Sequence, residues 1–268
     1  MDRRDVCILI NSTPRYYPIV LLQMLMMRRY APKLNWKVFV ATEVPDHRDI
    51  HTLRDKFNVE ILELTKEESG FLESREAALR KLPSQYTYVL PLQDDFLMDR
   101  EPMYDILAQA CEILDMDRNV ASLRLMPCPG PHPSNPLYHP SMKWRILTDS
   151  DTMMFTYQAT LWRLYDIHLF YKDLLVNIAK DFPAAITPQQ KKDIALKMNC
   201  AETQYGQEKL RKTPNVLHLA WERAGPWSNA VYLCPFPYRP TGIVQGRLEE
   251  FAAELSRREG NGVLKLDE

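Results

Sequence analysis

Apolar residues in this chain fall into short runs that alternate with longer segments of helical period. Residues 6–11 (VCILIN) are apolar and rich in branched side chains, and they stop at Ser12-Thr13-Pro14. That is the pattern of a buried strand. Residues 18–30 carry apolar positions at helical spacing, broken by one polar residue, Gln23, and end on Arg28 and Arg29. Positive charge in the last turn suits a helix C-terminus. The alternation repeats, with strands expected at 36–42, 59–64 and 86–92 and helices at 47–57, 68–82 and 103–114. Strands that alternate with helices at this pace form βαβ units. The chain is therefore expected to be α/β, with a mostly parallel central sheet and helices on both faces. Ligands of such sheets bind beyond the carboxyl ends of the strands. Three of these ends are polar: Asn11-Ser12-Thr13, Thr42-Glu43 and Gln93-Asp94-Asp95.

The second half is less regular. A strand is expected at 121–125, followed by a loop at 126–141 that holds six prolines. Further strands are expected at 153–157 and 216–219, and helices at 159–179, 187–198 and 202–212. An amphipathic helix at 248–258 precedes a tail that frays from Gly260.

Composition narrows the function classes. In 268 residues, 34 Lys and Arg face 35 Asp and Glu, for a net charge of −1, and basic residues do not cluster. Nucleic acid is not an expected partner. The five cysteines lie far apart with no CxxC pair, which points away from a disulfide framework or a zinc ribbon and towards a reducing compartment. The longest near-apolar run, 18–27, is too short to span a bilayer, and 6–10 is too short for a signal-peptide core. The expectation is a cytoplasmic protein with no transmembrane segment. None of the eight glycines forms GxGxxG, GxxxxGK[ST] or GxSxG, so the dinucleotide fingerprint, the P-loop and the nucleophile elbow are absent.

Two adjacent carboxylates at the end of an apolar strand, Asp94 and Asp95, are costly to hold unless a cation neutralises them. Carboxylate oxygens suit Mg²⁺ or Mn²⁺, with phosphate oxygens and water completing the shell. Asn11-Ser12-Thr13-Pro14, then Glu43, then 70–77 (GFLESREA), then Gln93-Asp94-Asp95 stand in the order of four motifs. In that order the chain resembles the nucleotide-sugar glycosyltransferases of the GT-A fold, the family 2-like group. The likeness is good over 6 to about 100 and weaker to about 223. It implies a GT-A-like Rossmann-like sandwich over 1–247, with a donor-nucleotide half at about 1–100 and an acceptor half at about 101–247, then a helix and tail at 248–268.

The resemblance also implies roles. Asn11, Ser12, Thr13, Glu43, Arg75, Gln93 and Asp94 would bind the nucleotide sugar. Asp95 would bind Mn²⁺ or Mg²⁺, joined by the late His218. Glu202 would be the general base, with Trp221 and Trp162 on the acceptor. The implied reaction moves a hexosyl or pentosyl group from a nucleoside diphosphate sugar, UDP-linked by expectation, to a hydroxyl of a glycan or small molecule. Two departures stand out: Gln93 replaces the first acid of the DxD-type motif, and Glu43 replaces a more usual Asp. Two alternatives remain. One is a sugar nucleotidyltransferase, which the glycine-free turn at 11–17 argues against. The other is a non-catalytic binding module, which Gln93 and Ala201 keep open.

Overall fold

The computed structural model describes residues 3–181, 202, 204–211, 213, 215–239, 242–244 and 247–259. β1 (Val6–Asn11), α1 (Tyr17–Tyr30), β2 (Lys37–Thr42), α2 (Arg48–Phe57), β3 (Glu60–Glu63), α3 (Phe71–Lys81), β4 (Tyr88–Leu92) and α4 (Tyr104–Met116) realise the four strand–helix units. β5 (Val120–Arg124), β6 (Trp144–Ile146), β7 (Thr160–Arg163), α5 (Leu164–Asp181), α6 (Gln204–Arg211) and β8 (Leu217–Trp221) follow. The chain closes with α7 (Trp227–Ala230), β9 (Ile243–Val244), β10 (Arg247–Leu248) and α8 (Glu250–Glu259).

One sheet of eight strands runs β3-β2-β1-β4-β7-β5-β8-β6. β3, β2, β1 and β4 pair in parallel, β7 is antiparallel to β4 and β5, and β6 is antiparallel to β8. Six strands thus share one direction, with β5 and β8 parallel neighbours. Both faces are buried. In β1, Val6, Ile8 and Ile10 join the core under α1, α2, α4 and α8, while Cys7 and Leu9 join the core under α3 and α5. Two-sided burial is why β1 reads as a continuous apolar run rather than an alternation. Ala252 and Leu255 of α8 belong to the first of these cores.

The order places the site. From β1 the chain winds outward to β2 and β3, then returns to lay β4 on the other side of β1, so the winding reverses between β1 and β4. A crevice opens at such a switch point. Ile10 pairs with Leu92, which sets the end of β1 against the acidic turn after β4. β7 reaches β4 only at Tyr88 and Val89. Pro91, which has no N–H to donate, lies beyond that pairing.

Three sequence expectations change. The helix expected at 159–179 begins with a strand, β7, wedged between β4 and β5. Residues 153–157 are not a strand but an irregular strap. β6 was not expected; it is three residues long and pairs along the outer edge of β8. The helix expected at 187–198 lies outside the described residues. Among the described residues, no helix is long and apolar enough to cross a membrane, and Cys7, Cys111, Cys128 and Cys234 are buried free thiols.

Candidate functional site

An open cleft of about 520 Å³ lies at the carboxyl ends of β1, β2 and β4, a usual size for a small-molecule site. Asn11, Ser12, Thr13, Glu43, Arg75, Gln93, Asp94 and Asp95 all line it. Eight side chains expected to act together, from four separate segments, therefore meet around one space. Tyr16, Ser69, Phe71 and Ser74 line it as well. The sequence reading missed these four. Tyr16 and Phe71 are only ordinary aromatics until the turn after β1 and the start of α3 face each other.

Hydrogen bonds tie the segments together. The Asn11 side-chain amide donates to the Ser74 carbonyl at 3.0 Å, which links β1 to α3. The Ser12 hydroxyl donates to Asp94 Oδ2 at 2.9 Å, which links β1 to the acidic turn. Behind the turn, the Gly242 N–H donates to the Asp95 carbonyl at 3.2 Å. A Cβ at Gly242 would sit 3.2 Å from that same oxygen, so only glycine allows this approach without displacement.

Burial pushes the Asp94 carboxyl up to about 6, with Asp95 adding to the shift and the Ser12 bond opposing it. Burial disfavours the charged form, so stability has a definite sign with pH. Below about pH 4 the group is protonated in both folded and unfolded chains and carries no penalty. As pH rises from about 4 to 6 the unfolded chain ionises first and stability falls. Without divalent cations, Asp94→Asn is therefore expected to stabilise the protein by about 3 kcal/mol at pH 8, at about 1.4 kcal/mol per pKa unit. The gain should shrink to under about 1 kcal/mol at pH 4 and vanish at lower pH. Urea denaturation of both proteins at the two pH values checks this, and equal midpoints at pH 8 would refute it.

Arg75 is held from two sides. Its guanidinium carbon lies 3.6 Å from the Phe71 ring centroid and 5.1 Å from that of Tyr157. Its Nη1 donates to the Phe71 carbonyl at 2.9 Å. Tyr157 comes from the strap at 153–158, whose backbone is pinned along its length. Arg124 donates to the carbonyls of Met153 (2.9 Å) and Met154 (3.1 Å). Gln207 accepts from the Phe155 N–H at 2.8 Å and donates to its carbonyl at 2.7 Å. Glu202 Oε1 accepts from the Thr156 hydroxyl at 2.7 Å and from the Tyr157 N–H at 2.6 Å. Glu202 is thus attached to the strap and does not itself line the cleft.

The remaining expected site residues are not gathered here. His218 is 2% exposed within β8. Its Nδ1 lies 2.8 Å from the Ser122 hydroxyl, its Nε2 has no partner among the described residues, and burial pushes the ring down to about 4. It is a neutral core residue, and the structure does not bring it to Asp95. Trp162, 3% exposed, lines a small inner cavity behind Arg75 and Gln93. Trp221 packs edge-on against Trp144 at 5.0 Å and lines a separate cleft beside α4. The two tryptophans do not share one acceptor surface. Among the described residues, no three His, Cys, Asp or Glu side chains converge on a metal position. Asp94 and Asp95 supply two hard oxygen donors at the cleft. Such a pair fits Mg²⁺ or Mn²⁺ that shares its shell with diphosphate oxygens and water.

No protein-family model matches the chain, and no curated protein matches it. Solved structures similar to it include S. aureus TarS, at 12% identity and a TM-score of 0.45, over 98% of this chain and 40% of that chain. The 1–349 form of TarS in complex with UDP-GlcNAc gives 13% and 0.47, over 98% of this chain and 68% of that chain. A cytidylyltransferase from Leptospira borgpetersenii serovar Hardjo-bovis gives 10% and 0.43, over 98% of each chain. The apo-form glycosyltransferase GlyE of Streptococcus pneumoniae TIGR4 gives 10% and 0.42, over 69% of this chain and 40% of that chain. The chain spans about two-fifths of the full TarS chain.

Proposed function

We propose that this protein transfers a sugar from a nucleoside diphosphate sugar, UDP-linked, to an acceptor hydroxyl with the help of a divalent cation. One observation carries this proposal: an acidic pair, Asp94-Asp95, and a guanidinium, Arg75, share one cleft at the switch point with the polar ends of β1 and β2. The same cleft thus offers oxygen donors for a cation, a cation for phosphate and polar groups for a nucleoside.

Asn11, Ser12, Thr13 and Glu43 frame the nucleoside. Arg75, fixed by Phe71 and Tyr157, presents its planar donors to the diphosphate, a geometry suited to bidentate bonding. Asp95, with Asp94 beside it, holds the cation. Bound there, Mg²⁺ or Mn²⁺ would take up charge on the departing diphosphate as a Lewis acid. Glu202, held on the strap rather than on the cleft wall, would be the base that takes the proton from the acceptor hydroxyl as that oxygen attacks the anomeric carbon. Its bonds to Thr156 and Tyr157 both use Oε1, and they orient the carboxylate. Residues 1–247 act as one transferase unit in this scheme.

A nucleotidyltransferase that joins a sugar phosphate to a nucleoside triphosphate is the competing chemistry on this kind of sheet. Such a site cradles phosphates on bare glycine-rich backbone, whereas the turn after β1 offers the side chains of Asn11, Ser12, Thr13 and Tyr16. The test is a thermal-shift panel of UDP-, GDP-, dTDP- and CMP-sugars with and without Mn²⁺, on wild type and Asp95→Ala. A ligand that binds the folded state raises Tm by mass action. A Mn²⁺-dependent rise with UDP-sugars is expected, with affinity weakened at least about tenfold in Asp95→Ala. No rise with any donor would overturn the proposal. Release of diphosphate from CTP and a sugar phosphate would favour the nucleotidyltransferase instead.

A further inference from the structure

α1 buries one polar side chain in an apolar setting. Its sequence is YPIVLLQMLMMRRY, and the glutamine, Gln23, is 0% exposed. Its Nε2 donates to two carbonyls, those of Gln93 at 3.0 Å and Phe96 at 3.1 Å. These carbonyls bracket Asp94 and Asp95. Among the described residues, its Oε1 is buried with no partner. Burying an amide with an unmet acceptor is unfavourable, and a methionine of similar volume would pack there without an orphan atom. Packing of α1 therefore does not account for the residue, and the bracket does. Gln23 holds the turn from within the core, and the Gly242 N–H holds it at the Asp95 carbonyl.

We propose that Gln23 is the positioning residue of the acidic turn: from the core it fixes the backbone on both sides of Asp94-Asp95 and so sets where the two carboxylates stand in the cleft. Its consequence for ligand binding rests on the transferase reading above; its consequence for the turn does not. A turn with both flanking carbonyls bonded presents its carboxylates already in place. Without the bracket, the carbonyls must find water or other donors, and the turn opens. Residues that support metal-binding groups commonly change metal affinity by about 10- to 100-fold when replaced.

The experiment compares Gln23→Met, which keeps length and apolar volume but removes both donors, with Leu22→Ala. Leu22 is the adjacent fully buried residue of α1 and serves as a control for general loss of stability. Hydrogen exchange followed by mass spectrometry reads the turn without any ligand. In Gln23→Met the segment 93–98 should exchange about tenfold faster than in Leu22→Ala, as expected when a buried hydrogen-bonded bracket is lost. In parallel, Mn²⁺ titrated with UDP present should bind about tenfold more weakly to Gln23→Met and unchanged to Leu22→Ala. If Gln23→Met does not fold, Gln23→Glu retains the shape with at most one donor. It should then show a smaller acceleration over the same segment.

Unchanged exchange at 93–98 in either folded glutamine variant would overturn the proposal whatever the ligand data show. Faster exchange with unchanged Mn²⁺ affinity would reduce Gln23 to a structural residue and also overturn it. If wild type binds no UDP or Mn²⁺, the transferase reading fails by itself, and the exchange data still decide whether Gln23 sets the turn.

Discussion

Glu202→Gln is expected to lower kcat for sugar transfer by about 100- to 10,000-fold, the range contributed by a positioned general base, while Tm and donor affinity stay near wild type. The separation follows from how Glu202 is held. Its Oε1 accepts from the Thr156 hydroxyl and the Tyr157 N–H, and a glutamine carbonyl in the same place can accept both. The strap that carries Tyr157 to Arg75 therefore keeps its anchor. What glutamine lacks is a basic oxygen to receive the acceptor proton. Initial rates at saturating donor and acceptor, with Tm measured alongside, check the prediction. A kcat within threefold of wild type would show that Glu202 anchors the strap and nothing more. A fall in both kcat and Tm would show that the substitution did not preserve the strap.

Arg124→Met is expected to destabilise the fold by about 3 kcal/mol, in the range for breaking a buried charged network. Arg124 is 2% exposed at the end of β5. It donates to the carbonyls of Pro129, Met153 and Met154 at 2.9, 2.9 and 3.1 Å. Burial pushes its guanidinium down to about 10, offset in part by Asp151 and Glu202. Methionine fills the space but leaves three carbonyls without a donor, that of Met154 in a buried bond and those of Pro129 and Met153 in part-buried ones, and an unmet buried group costs about 1–3 kcal/mol. Removal of a buried charge recovers part of that. For a chain of this size the net loss corresponds to a fall in Tm of about 8 °C. Scanning calorimetry reads it directly, and a fall under about 2 °C would show that the strap does not depend on Arg124. Because the strap also carries Tyr157, the same variant should loosen Arg75 and weaken donor binding.

Much of the first half was legible because local signals and global fold agree there. Strands β1, β2 and β4 are apolar runs with abrupt polar ends, β3 is a short alternating segment, and α1 to α4 have helical spacing between them, so period separates them. The location of the cleft was legible for the same reason. In a parallel sheet the strand ends gather at one edge, and Asn11-Ser12-Thr13, Glu43 and Gln93-Asp94-Asp95 put chemistry there. Arg75 came from order relative to these ends. β7 was not legible. Leu161, Leu164, Ile167, Phe170 and Leu174 keep helical spacing straight through the boundary at Leu164, and only pairing with β4 and β5 makes Thr160–Arg163 a strand. His218 misled because a late histidine on a strand has the same appearance in sequence whether it faces a cleft or, as here, Ser122 and the Trp162 ring.

Taken by itself, the sequence determined the strand–helix alternation, the sheet edge that carries polar chemistry and the residue types available at that edge. Those properties depend on periodicity and on where apolar runs stop, which are local. The tertiary structure decided which groups touch. It enclosed Arg75 between Phe71 and Tyr157, attached Glu202 to a strap rather than to the cleft wall, sealed His218 in the core and aimed Gln23 at the turn between Gln93 and Phe96. These are contacts between residues about 70 to 100 positions apart in several cases. They depend on strand order, register and packing depth, which no local pattern of apolar and polar residues encodes.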